Sequence, residues 1–414
     1  MSAGPVGYGY DVDRSDPRAP EHLVSRRSES PRRRRRWVPW LAWGIPIAVL
    51  ALVSAVVWFL TIRPIGIGTS LVGFTAALVP VAIVFLAVWW IDRYTPQPRI
   101  TLVYAFAWGA AGSVALTFLV GGAFVDLVSP ENAPDALLQV LNTVVQAPVI
   151  EESTKSAGLV LLLLWGRRFL ANPIDGVVYA ALIAGGFAFT ENILYFGRAF
   201  QQAQAAGTAD AFWQTFLLRG LLSPFAHVSF TSLCGLGLGI AAGRRSLMLY
   251  GGLGVGGLAL GMCLHALWNG STFFITVDPA APMAGFVRYY LSVQVPIFLV
   301  LAAIVLWLRL REARVVRRRL SEYGRAGWFS TGEVDMLVSM RRRRRAEAWA
   351  ARYGAVARSG MHDLIRTAVE LATERNAALH GPPTRKARDR ERELLERITA
   401  DRRLIGALTR PVSS

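Results

Sequence analysis

Three charged side chains, Glu151, Glu152 and Lys155, fall within Gln146-Ala-Pro-Val-Ile-Glu-Glu-Ser-Thr-Lys155, and an apolar run to Trp165 follows directly. That stretch otherwise has the composition of a membrane span, where a charge at bilayer depth costs about 2.5–3.5 kcal/mol. A helix that keeps three such groups hides them in a polar interior or gains a function from them. The next three apolar stretches carry Glu191 with Asn192, then His227, then His265 with Asn269. Carboxylates and imidazoles gathered in a low dielectric suit general acid–base chemistry, because both accept and return protons. The same groups would serve a proton-coupled transporter or channel. Glu151 or Glu152 with Glu191, His227 and His265 is also a nitrogen and oxygen set that zinc accepts. No His-Glu-x-x-His occurs, so spacing alone specifies no metal.

Helical spacing states which of these groups can meet. Glu151 and Lys155 are i,i+4 neighbours in the favourable order, while Glu152 points about 100° away. Phe187 shares a face with Glu191, and His265 with Asn269. The elements that must carry them are apolar runs near 37–61, 69–91, 101–127, 143–165, 174–197, 216–242, 247–272 and 286–310. Each approaches the roughly 20 residues that a bilayer core requires, and the polar groups occupy the fourth to the seventh. Every second connection is basic: Asp92 to Arg99, Arg167-Arg168, Arg244-Arg245 and the tail from Arg311. Positive connections stay inside, so both termini are expected in the cytoplasm. Glu151, Glu191, His227 and His265 then share one level, roughly 8–18 Å below the outer face by the helical rise. Arg219 could simply snorkel to that face. Gly252-xxx-Gly256 and Gly257-xxx-Gly261 read as close-packing pairs. Trp89, Trp90, Trp165 and Trp307, with Trp37 and Trp40, fall at span ends as interfacial anchors. Asn172-Pro173 reads as a helix start.

Composition agrees with a membrane protein. Of 414 residues, 53% are hydrophobic and 18% charged, below the quarter or so that is charged in soluble domains. The net charge of +17 is explained by Arg clusters bordering apolar runs, with no nucleic-acid motif beside them, so no nucleic-acid partner is expected. Cys234 and Cys263 read as small packing residues. The expected fold is all-α: a polytopic bundle of about eight transmembrane helices with a small cytoplasmic helical C-terminal region. Residues 1–36 read as a disordered basic segment, 37–310 as the membrane domain and 311–414 as a basic helical tail. In that tail Ser330-Thr-Gly-Glu333 resembles a capping box. Gly381-Pro-Pro383 should separate a helix around Met361–Leu371 from a last one near 388–409, and His362 and His380 should face solvent.

Glu-Glu-x-x-Lys at 151–155, Phe-x-x-x-Glu-Asn at 187–192 and one His in each of the next two spans resemble the PrsW family of intramembrane proteases, related to the CAAX prenyl endopeptidases and bacterial Abi proteins. Asp92-Arg-Tyr and Asp175-Gly are similar to that family as well, and Gly327-Trp-Phe with Glu333-Val-Asp-Met-Leu to actinobacterial-type members. The resemblance covers about residues 70 to 275. It implies peptide-bond hydrolysis of a membrane protein near the outer face of the cell membrane, the substrate in the founding group being a single-span anti-sigma factor. Members are often labelled metalloproteases, whereas the CAAX relatives look like glutamate-dependent enzymes without a metal. No cofactor is favoured here; zinc is the alternative. With hydrolysis as the reaction, Glu151 is the expected general base, and its division of labour with Glu152 stays open. Lys155 would hold one carboxylate charged. Glu191 would position water or supply the leaving-group proton, His227 would orient, and His265 with Asn269 would bind the oxyanion. The competing non-enzyme readings are the transporter and a scaffold acting through its tail.

Overall fold

Apolar runs of this length close their backbone hydrogen bonds internally, because lipid offers no partner. The computed structural model describes residues 48–409 except 54, 60–62, 64, 131–132, 167–168, 245–246, 276–281 and 381–384, and no strand occurs among the described residues. The leader 1–36, Trp37, Trp40, Arg167, Arg168, Arg245 and the 381–383 break lie outside them. Among the described residues, six helices are long and apolar enough to cross a membrane: Ile67–Asp92, Arg99–Val128, Pro173–Ala206, Asp210–Ala242, Met248–Ser271 and Ala284–Arg325. Of the other two expected spans, the first is represented by the shorter apolar helix Ala48–Phe59. The fourth is the helix Ala147–Trp165, whose charges interrupt its apolar character.

The membrane unit, Leu41–Leu306, is built from α1 (Ile67–Asp92), α2 (Arg99–Val128), α3 (Ala147–Trp165), α4 (Pro173–Ala206), α5 (Ala226–Arg244) and α6 (Leu247–Ile275). Helix α4 is the axis. It is buried without a gap from Ile174 to Phe187, where α1, α2 and α5 surround it. Glycines permit this crowding. A Cβ on Gly176 would stand 1.9 Å from the Gly235 carbonyl oxygen of α5, and one on Gly73 of α1 would stand 2.3 Å from that of Ile193. The same test splits the α6 pairs. Gly257 and Gly261 lie against the α5 backbone at Leu233 and Phe230, but Gly252 and Gly256 have nothing within 4 Å.

The N-terminus of α4 is fastened as its sequence predicts, and by more. Asn172 Oδ1 accepts from the backbone N–H of Ile174 and Asp175, and Asp175 Oδ2 accepts from that of Asn172. Asp175 also accepts from Gln97 Nε2 at 2.7 Å, while Gln97 Oε1 accepts from Tyr179. The Asp92–Pro98 connection is thereby docked on the central helix. Four π-helical stretches interrupt the described helices: Trp108–Ser113, Leu141–Gln146, Phe216–Leu222 and Tyr290–Gln294. Such stretches rotate the face that follows them and recur at functional sites. Leu141–Gln146 leads directly into α3, and Phe216–Leu222 leads into α5 through residues 223–225. Trp89, Trp90, Trp165 and Trp307 are exposed, as interfacial anchors should be, and so is Cys263, while Cys234 is buried.

The second unit comprises Trp307–Ser414 and takes in the end of α7 (Val295–Arg325), then α8 (Thr331–Val338), α9 (Met340–Ala351), α10 (Ala355–His380) and α11 (Arg385–Thr409). The expected capping box is present: Glu333 N–H donates to Ser330 Oγ and Ser330 N–H to the Glu333 carboxylate. Leu364, Ala368 and Leu371 of α10 and Leu394 and Ile398 of α11 fill its core at helical spacing. His362 is 62% exposed beside Glu347.

Candidate active site

The entry into α3 sets the first two carboxylates. Thr154 is gripped from α2: Trp108 Nε1 donates to its carbonyl oxygen, and the Ser113 and Thr117 hydroxyls meet its own. With that face turned to α2, Glu151, Glu152 and Lys155 turn inward and are all buried. Lys155 Nζ, fully enclosed, lies 3.1 Å from Glu151 Oε2, 2.8 Å from Glu152 Oε1 and 3.1 Å from His227 Nδ1. It also sits 4.0 Å over the Phe187 ring, which gives Phe-x-x-x-Glu a physical meaning: the ring caps the ammonium one turn before Glu191.

The other residues close around this cation. Thr231 Oγ1 donates to Glu152 Oε2 at 2.7 Å, and His265 Nδ1 lies 3.0 Å from Glu152 Oε1. Since a carboxylate only accepts, that nitrogen of His265 carries the proton and Nε2 keeps a lone pair. His265 Nε2 faces Glu151 Oε2 across 4.0 Å. The ammonium of Lys155 only donates, so His227 Nδ1 accepts from it and Nε2–H donates to Glu191 Oε2 at 2.9 Å. The two imidazoles cross edge to face with centroids 5.2 Å apart. Six of the seven predicted residues therefore converge from four helices: Glu151, Glu152 and Lys155 from α3, Glu191 from α4, His227 from α5 and His265 from α6. Asn269 follows one turn after His265, and its amide donates to the Thr143 carbonyl at 2.9 Å. That commits one of its two hydrogens to the segment leading into α3.

Arg219 is drawn into the cluster. It does not snorkel outward: its Nη2 binds Glu191 Oε2, its Nε donates to Asn192 Oδ1 at 3.0 Å, and its guanidinium stacks 3.7 Å over Tyr195. The π-helical stretch Phe216–Leu222 re-aims it, and helical periodicity gives no sign of such a stretch. The chain then breaks at Ser223-Pro224, where Ser223 Oγ and N–H both donate to the Leu218 carbonyl and Tyr290 OH donates to that of Leu222. The break is tolerable in an apolar layer because its freed carbonyls are satisfied. Thr231 was missed as well, although it lies on the face of His227, one turn on. Three carboxylates thus meet two fixed cations, and one proton on the cluster would balance it.

Ligand atoms of Glu151, His227 and His265 lie within 4.8 Å of one another, a possible metal-holding group. In the arrangement described, however, both nitrogens of His227 are engaged, and the position between the carboxylates is filled by the Lys155 ammonium. The donor set as it stands fits this fixed cation and not a divalent ion.

Residues 97–301 match the family described as PrsW family intramembrane metalloprotease. The chain is similar to Protease PrsW of Clostridioides difficile (strain 630), 29% identical over 161 residues, which are 38% of this chain and 60% of that relative. No solved structure matches. Its apolar helices make this a multi-pass membrane protein, and across residues 97–301 the chain is similar to the PrsW family of intramembrane proteases.

Proposed function

We propose that the cluster hydrolyses a peptide bond of a membrane protein substrate, with Glu151 as general base acting on a water and no metal taking part. The observation that carries this is the 4.0 Å gap between Glu151 Oε2 and His265 Nε2. Both are acceptors, the gap is too long for a direct hydrogen bond, and a water in it can donate to each. Its oxygen lone pair is then left for the scissile carbonyl carbon. As the C–O bond forms, one water proton passes to Glu151. As the C–N bond breaks, the proton taken up by Glu151 is delivered to the leaving amine, while Glu191 and His227 orient the reacting groups. Glu152 and Thr231 hold His265 in the required tautomer. Lys155 keeps the two α3 carboxylates together; because His265 gives its Nδ1–H to Glu152 and keeps Nε2 as an acceptor, the oxyanion role expected of His265 with Asn269 falls to the Asn269 amide alone. A divalent ion would polarise the carbonyl instead, but seating one at Glu151, His227 and His265 requires His227 to leave its present partners or Lys155 to withdraw.

The alternating basic connections support a cell-membrane location with both termini in the cytoplasm, which puts the site toward the extracytoplasmic face. The family resemblance supports a single-span substrate of the anti-sigma-factor kind, and the basic Trp307–Ser414 unit is then a cytoplasmic appendage. Reconstitution with candidate single-span substrates tests the reading. Cleavage by wild type, lost in Glu151→Gln and Glu191→Gln and insensitive to strong chelation, is expected. Solute movement that persists in Glu151→Gln, with no proteolysis by wild type, would replace the protease by a transporter.

A further inference from the structure

Hydrolysis inside an apolar layer needs a supply of water at the cluster just described. Against its α5 side, between α1, α4, α5 and α6, lies a half-open cavity of about 20 Å³. A water needs about 10–15 Å³ of such space and two to four polar partners. Four polar side chains line this one, Asn192, Arg219, Ser223 and His227, with Ala188 and Trp268 among the apolar walls. Their existing bonds leave a matched set of groups. Asn192 gives only its Oδ1 to Arg219, so its amide N–H groups can donate. Arg219 uses Nε and Nη2, leaving Nη1. Ser223 spends its proton on the Leu218 carbonyl and keeps lone pairs to accept. The cavity ends on His227, whose ring lies 5.2 Å from that of His265.

We propose that this cavity is a water site that supplies the hydrolytic centre, with Asn192 and Arg219 donating to the bound water and Ser223 accepting from it. Its supply role rests on the protease reading; its occupancy does not. The inward turn of Arg219 and the Ser223-Pro224 break then serve one purpose, to keep a polar chamber at this depth.

The test is radiolytic hydroxyl labelling of the full chain in vesicles, read by mass spectrometry beside turnover of a reconstituted substrate. Radicals born from a bound water oxidise the side chains next to it, so Trp268 should be labelled in wild type. In Ala188→Leu, which fills the cavity without removing a charged group, that label should fall to background and turnover should drop about tenfold, as expected for displacing an ordered water whose bonds are not replaced. Val84→Phe, filling the same space from α1, should do likewise if Ala188→Leu does not fold. Background labelling of Trp268 in wild type overturns the site. A lost label with unchanged turnover overturns its supply role. Labelled Trp268 in a wild type that cleaves nothing sinks the protease reading and keeps the water site.

Discussion

At the scale of single residues, the site is a set of fixed charges arranged around Lys155. Removing one partner of a buried ion pair leaves the other uncompensated, at a cost of about 3–5 kcal/mol. Lys155→Met should therefore melt well below wild type in metal-free buffer. Added zinc should restore it, because the vacated position then suits a divalent ion, while leaving wild type unmoved. Equal stabilisation of wild type by zinc would contradict a resident ammonium. Glu151→Gln should lower kcat by about 10²–10⁴, the usual contribution of a positioned base, with melting little changed. Thr231→Val strips one hydrogen bond from buried Glu152, worth about 1–3 kcal/mol, and should lower kcat more than it raises KM. The residues at stake were legible because ionisable groups stand out in apolar sequence. Arg219 and Thr231 were not. The direction of Arg219 depends on a π-helical stretch with no local signature, and a Thr among apolar residues looks like filler.

At the scale of the helices, what matters is which face packs. Helix α1 buries Ser70, Gly73, Ala77, Pro80, Val84 and Val88 at helical spacing and exposes Leu71, Leu78 and Phe85. Both sets are apolar or small, so polarity does not mark the packed face as it does on a soluble helix; residue size does. The α6 glycines show the limit of that cue, since two identical spacings have opposite surroundings. Gly257→Ala should cost about 1–3 kcal/mol by overpacking against α5. Gly252→Ala, with open space around it, should be neutral or stabilising by up to about 1 kcal/mol through helix propensity. Parallel thermal melts in detergent decide between these outcomes, and similar losses in both would refute the packing described for α6.

At the scale of the whole molecule, the chain joins a charge-poor membrane unit to an Arg-rich helical unit stabilised by ordinary soluble means. In the latter, hydrogen bonds from Arg317 and then Arg342 hold the Asp335 carboxyl below the usual carboxylate range. A lowered folded-state pKa adds stability that is present above the unfolded value, about 3.9 for Asp, and lost as pH falls through the lowered one. Protection factors of the α8 amides in the full chain, exchange being corrected for its intrinsic pH dependence, should therefore fall on acidification below about pH 4 and far less so in Arg317→Gln. The effect should shrink with salt because the pair is at the surface.

The amino-acid sequence alone determined the all-α membrane class, the segments that carry chemistry, and six of the residues that gather, because a charge in an apolar run is conspicuous wherever the chain folds. Only the tertiary structure decided that Lys155 stands between the carboxylates, that Arg219 turns inward and that a water-sized chamber abuts His227. Those outcomes depend on how far backbones approach at Gly176, Gly235 and Gly257 and on where helices shift register, and both are properties of several chain segments meeting at once.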